Sequence, residues 1–172
     1  MDYDDDYEVD DVIANQPRRK KKNSKDKGKR GELQLVKILN DRFDGGFSRV
    51  VGSGNRWGQT AYVTKDYIGD LVVPEGFKYT IECKFGYDID LYKCLCGRIK
   101  LLDGFLKQAT RDADKINMIP MLCWKKDRCD WLAFLPKNIM EEVDISNQLL
   151  YNDWVAVKLS SLLLEETSFF FD

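Results

Sequence analysis

Apolar positions along the chain follow two periods. In "GELQLVKILNDRF", starting at Gly31, residues Leu35, Val36, Leu39 and Phe43 recur at helical spacing. Gly45-Gly46 supplies the stop. Phe47 to Val51 reads as a short strand, followed by a loop rich in Gly, Ser and Asn. Leu71-Val72-Val73 is an apolar strand. From Lys78 the pattern alternates, with Lys78, Thr80, Glu82 and Lys84 on one face and Tyr79, Ile81, Cys83 and Phe85 on the other. Folding the chain about Pro74-Glu75-Gly76 makes these two strands a hairpin and puts Asp70 opposite Ile81 or Glu82. A second helical stripe runs through Leu102, Phe105, Leu106, Ala109, Ala113 and Ile116. "IPMLCWK" and "CDWLAFLP" read as strands joined by a turn at Lys125-Lys126-Asp127-Arg128, with Trp124 and Trp131 in the core. A short helix after Pro136, a strand in "DWVAVKL" and a terminal "SSLLLEETSFFFD" complete an α/β pattern.

Length and composition narrow this. A chain of 172 residues suits one domain, and 44% hydrophobic residues are enough for a real core. No apolar run approaches the roughly 18 residues of a membrane span. The start, "MDYDDDYEVDD", is too acidic for a secretory signal, so a cytoplasmic location is expected, or a nuclear one in a eukaryote. Five cysteines without a framework pattern read as reduced thiols. Cys94-Leu95-Cys96 is too tightly spaced for zinc. The absence of histidine removes every mechanism that needs imidazole.

A net charge of −2 conceals an asymmetry. The acidic start is followed by a basic run, "RRKKKNSKDKGKR", from Arg18 to Arg30. Residues 1–26 lack apolar content and are expected to form a disordered arm. Such an arm is either a solubilising tail or an attractor of phosphate, and a nuclear-import signal would use the same residues. A core domain over 27–142 and a C-terminal extension over 143–172 follow.

Chemistry gathers on the predicted hairpin. Asp is depleted in strands, yet Asp70 converges there with Glu82 and Lys84. A surface salt-bridge cluster is one reading. A site for Mg²⁺, with Mn²⁺ as a substitute, is the other, because both ions take hard oxygen ligands and keep positions for phosphate. A lysine beside such an ion orients or deprotonates water, or stabilises charge on phosphorus. Glu32 lies on the apolar stripe of the first helix, where interaction with the helix N-terminus is the plainer explanation. In "GFSRVVGSGNRWGQ", Ser53, Asn55 and Arg56 are candidate phosphate contacts, although the loop has no G-K-[ST] signature.

These residues carry a resemblance. "GD" at 69–70, an interval of eleven residues, and "ECK" at 82–84 resemble the PD-(D/E)XK nuclease signature, with Gly69 where the family usually has proline. Within that superfamily the chain is most similar to archaeal-type Holliday-junction resolvases, and it reads as a viral or phage member. The similarity lies in "KGKRGELQLVKIL", "GFSRVVGSG", the Asp, the Glu-x-Lys and "LLDGFLKQATRDADKINMIPMLCWK", spanning roughly Lys27 to Leu135. It implies a restriction-endonuclease-like mixed sheet flanked by helices. It implies Asp70 and Glu82 as metal ligands, the Cys83 carbonyl beside them, Glu32 assisting from the first helix, Lys84 as catalytic lysine, and Gln108 in support. Lys29, Arg30, Arg49, Ser53, Asn55 and Arg56 are then the DNA contacts. The implied activity is Mg²⁺-dependent resolution of four-way DNA junctions in recombination and repair by a homodimer. Other nucleases of the superfamily, such as a nickase, mismatch or flap enzyme, share the metal site. A non-catalytic DNA-binding scaffold is a further alternative, opposed by the intact acid-acid-lysine set. Phe169-Phe170-Phe171 at the terminus either pack on the domain or dock a replication or recombination protein.

Overall fold

A computed structural model describes residues 24–50, 68–141 and 143–172. Helix α1 spans Ser24–Phe43, starting seven residues before Gly31, where the stretch that announced it begins. Lys and Arg are good helix formers, and Asp26 in the first turn complements the helix dipole. Tertiary contacts hold this added stretch. Lys27 Nζ donates to the Gly86 carbonyl at 2.9 Å and pairs with Asp127 at 3.0 Å. The end of the basic run is therefore helix, while residues 1–23 of the expected arm lie outside the described residues.

Strands β1 (Ser48–Arg49) and β2 (Leu71–Val72) pair with each other antiparallel. This corrects the expected hairpin, in which β2 was to pair along β3 (Tyr79–Phe85). Positive φ at Gly69 and Gly76, together with Pro74, leaves β2 only two residues long. Just before it, Asp70 N–H donates to the Ile81 carbonyl of β3 at 3.0 Å. Asp70 is thus opposite Ile81, one of the two registers anticipated.

The main sheet has the order β3-β4-β5-β7-β6, with β4 at Ile119–Lys125, β5 at Leu132–Pro136, β6 at Leu149–Tyr151 and β7 at Trp154–Lys158. Helix α2 (Lys100–Asp114) crosses between the parallel strands β3 and β4, and all other pairs are antiparallel. The mixed sheet is therefore flanked by helices, as expected. Strand alternation divides the core. Ile81, Cys83, Met121, Cys123 and Leu135 pack on the α1 side, and Leu122, Trp124 and Phe134 pack on the α2 side. Both tryptophans that read as core are buried, and all five cysteines are free thiols. No helix among the described residues is long and apolar enough to cross a membrane.

The C-terminal segment folds back through α3 (Leu159–Leu162) and α4 (Thr167–Phe170). Phe170 is 1% exposed and packs edge-on against Phe43 at 5.0 Å between centroids. The backbone is tied down as well: Lys78 N–H donates to the Phe170 carbonyl and Asp172 N–H to the Gly76 carbonyl. Arg42 donates to the carbonyls of Leu163 and Glu165. Of the two expectations for the terminal phenylalanines, packing is the one the structure holds. Phe170 is a core side chain, while Phe169 and Phe171 are half-buried.

Candidate active site

Strand β3 is the edge strand of the main sheet, and its free edge carries the site. Asp70 enters from the β2 side. Its Oδ2 accepts the Cys83 N–H at 2.8 Å while its own N–H reaches Ile81. In an extended strand the N–H and C=O of one residue leave on the same edge. The Cys83 carbonyl thus faces the Asp70 side, while its buried thiol points into the core. Glu82 points to the opposite face of β3, 2% exposed, with Lys84 Nζ hydrogen-bonded to its Oε1.

Electrostatics mark the two acids as a pair. The charge of Asp70 is felt at Glu82. Burial raises the proton affinity of Asp70, against the opposing pull of the Cys83 N–H and Lys84. Burial and the neighbouring Asp70 charge push Glu82 up to about 8. Burial alone would lower the Lys84 pKa, but the Glu82 carboxylate more than offsets it and the ammonium is held on. Two carboxylates crowded in low dielectric, balanced by one ammonium, lack positive charge. A divalent cation that takes oxygen ligands supplies that charge, so Asp70, Glu82 and the Cys83 carbonyl fit one.

Glu32 is buried on α1, where it accepts a hydrogen bond from Arg49 Nε. Its charge is felt at the Cys83 thiol, together with those of Asp70 and Glu82. Among the described residues, however, no three His, Cys, Asp or Glu side chains gather closely enough to hold a metal ion. Glu32 is thus near the pair but engaged with Arg49, and Arg49 is engaged in turn. Lys29 and Arg30 are exposed on α1, one turn before Glu32. Ser53, Asn55 and Arg56 lie outside the described residues.

Helix α2 covers the Glu82 face. Phe105 lies under Lys84 Nζ, 5.2 Å from ring centroid to nitrogen. Asp112, seven residues on, adds its field to both Asp70 and Glu82 while Lys115 Nζ holds it at 2.6 Å. Gln108 is half-buried between them on the same helical face. Sequence reading missed Asp112 and Phe105 as neighbours of the site. Their spacing from Gln108, three residues before and four after, was the available signal.

The sequence matches known proteins. Residues 23–165 match the family described as "Phage putative PDDEXK endonuclease". The chain is 34% identical over 117 residues to Protein D14 of Escherichia phage T5, spanning 65% of this chain and 70% of that protein. Among solved structures it is similar to Hjc of Archaeoglobus fulgidus, a Holliday junction resolvase, with 18% identity and a TM-score of 0.41, covering 80% of this chain and 93% of that one. With its family match spanning most of the chain and its acid-acid-lysine set on one strand edge, the protein belongs to the phage PDDEXK endonuclease family.

Proposed function

We propose that this endonuclease is a Mg²⁺-dependent, structure-specific deoxyribonuclease that resolves four-way DNA junctions by paired nicks, with Mn²⁺ able to replace Mg²⁺. The observation that carries the metal chemistry is the buried Asp70–Glu82 pair keyed to the Cys83 backbone and closed by Lys84. Asp70, Glu82 and the Cys83 carbonyl would hold the ion. Bound there, it would supply Lewis-acid neutralisation of the scissile phosphate and activation of water. Lys84, hydrogen-bonded to Glu82, would position the attacking water or stabilise charge on a phosphate oxygen. Glu32 and Gln108 flank this set as positioning residues, with Glu32 also fixing the Arg49 guanidinium.

Support for the junction as substrate is the ordered set of motifs from the basic helix start to the helix after Glu-x-Lys. Lys29 and Arg30, exposed on α1 ahead of Glu32, suit phosphate contacts that read shape and not bases. Ser53, Asn55, Arg56 and the arm would extend that surface. Paired nicks require two sites related by a two-fold axis, hence a homodimer, acting in the cytoplasm of the host cell.

The test compares a synthetic four-way junction with linear duplex, single strand and flap, in Mg²⁺ and in EDTA. Symmetric paired nicks in the junction alone, lost in Asp70→Asn and Lys84→Ala, are expected. Equal cutting of all substrates would remove junction specificity and keep the nuclease. Tight binding without metal-dependent cutting would instead make the chain a DNA-binding scaffold.

A further inference from the structure

Beside Lys84 stands an aromatic group that the phosphate chemistry does not use. Tyr87 packs edge-on against Phe105, with centroids 4.9 Å apart at 69°, and Phe105 in turn lies under Lys84 Nζ. Yet 45% of Tyr87 is open to solvent, so core packing does not account for its placement.

Its backbone is held on both sides. Gly86 N–H donates to the Lys125 carbonyl at 2.6 Å, and Trp124 Nε1 donates to the Tyr87 carbonyl at 3.1 Å. Lys27 from α1 clamps the Gly86 carbonyl, and Lys126 pairs with Asp88 at 2.5 Å. Main-chain restraint with an open ring is the arrangement of a preorganised contact surface, since little entropy remains to be lost on binding. The order along this edge is carboxylates, ammonium, then ring.

We infer that Tyr87 is a specificity residue whose ring stacks on the uncovered face of a nucleobase at the branch, next to the scissile phosphate. This rests on the nuclease reading above, because the occupant is set by what must lie against Lys84. Inside a continuous duplex both faces of a base are covered by its neighbours. At a branch or fork one face is uncovered, and an aromatic ring favours it whatever the base. Tyr87 thereby selects DNA with a strand interruption over plain duplex, without reading sequence.

The experiment is equilibrium binding of forked DNA by fluorescence anisotropy in EDTA, with one abasic site walked through the strand around the branch. The full chain is compared with Tyr87→Ala and Tyr87→Phe. At one position the abasic site weakens wild-type binding about tenfold, and Tyr87→Ala weakens binding of the intact fork by about the same factor. The two changes combined weaken it no further than either alone, and Tyr87→Phe binds as wild type. Losses that multiply at every position overturn the assignment. So does a Tyr87→Ala chain that sediments as a smaller species with its abasic profile unchanged, since the ring then covers a second copy. Binding is read without metal, so the outcome stands apart from cleavage. A chain that cuts nothing in Mg²⁺ sinks the nuclease reading and still reports whether ring and base are coupled.

Discussion

The carboxylate of Asp70 accepts the backbone N–H of Cys83 at 2.8 Å, which keys one acid of the pair to the strand that carries the other. Asp70 is thus fixed directly on β3. Asp70→Asn keeps the shape and, through its amide oxygen, the Cys83 contact, but it removes one of two crowded charges. Without metal this variant melts no lower than wild type. Added Mg²⁺ no longer stabilises it, and cleavage falls on the order of a hundredfold or more. Thermal melts with and without Mg²⁺ check both halves, and a lower apo melting temperature would show that the charge is not under strain.

Glu82 sets the pH dependence. Burial and Asp70 push its pKa from 4.5 up to about 8 in the folded state. A carboxyl whose folded pKa is raised contributes stability below its unfolded pKa, and loses it as pH rises through the folded value. Asp70 is shifted the same way. The metal-free chain therefore loses stability between about pH 4.5 and about pH 8, with a limiting slope on the order of 1 kcal/mol per pH unit per proton. A divalent cation competes with that proton, so the melting shift induced by Mg²⁺ grows over the same window. Denaturant melts from pH 5 to 9 with EDTA, repeated with Glu82→Gln, check the sign. The variant should show the flatter profile.

The parts of this site legible in sequence are those written at short range. Alternation from Lys78 to Phe85 placed Glu82 and Lys84 on one face because a strand has period two, and the α2 stripe was equally plain. The start of α1 was not, since "SKDKGKR" has no apolar stripe and is helical partly because Lys27 finds Gly86, 59 residues away. Pairing of β2 with β1 was lost for a similar reason. Two-residue strands carry no period, and only the backbone at Gly69 and Gly76 decides their partner. Asp112 and Tyr87 stand outside the Glu-x-Lys motif, and only the packing of α2 on β3 connects them to it.

Phe170 anchors the tail against the domain. It is 1% exposed, and Phe43, Phe77, Tyr79 and Phe169 surround its ring. Phe170→Ala leaves a cavity in this cluster and costs about 3–5 kcal/mol. That corresponds to a melting temperature lower by roughly 10 °C for a chain of this size. The half-buried Phe169 and Phe171 should cost less. A Phe170→Ala chain that melts like wild type would mean that the tail is not seated on the domain in solution.

Gly69, immediately before Asp70, has φ of +79°, and a Cβ there would lie 2.8 Å from the Ile81 carbonyl oxygen. Ile81 is the residue that receives the Asp70 N–H, so the close approach and the placement of the acid are one feature. Proline, which the family usually carries here, is locked near −65° and cannot adopt this backbone. Restoring the signature with Gly69→Pro is therefore expected to damage the site. Gly69→Ala separates the contributions when compared with Gly45→Ala. Gly45 also has positive φ, +109°, but nothing lies within 4 Å of its Cβ position. Gly45→Ala should cost only the backbone strain, about 1–2 kcal/mol, and leave cleavage alone. Gly69→Ala should cost more and lower metal-dependent cleavage at least tenfold, because Asp70 shifts away from Cys83 by the room the new methyl takes. Equal melting shifts and equal cleavage for the two variants would mean that β2 moves freely along β3 and that Asp70 is not keyed to it.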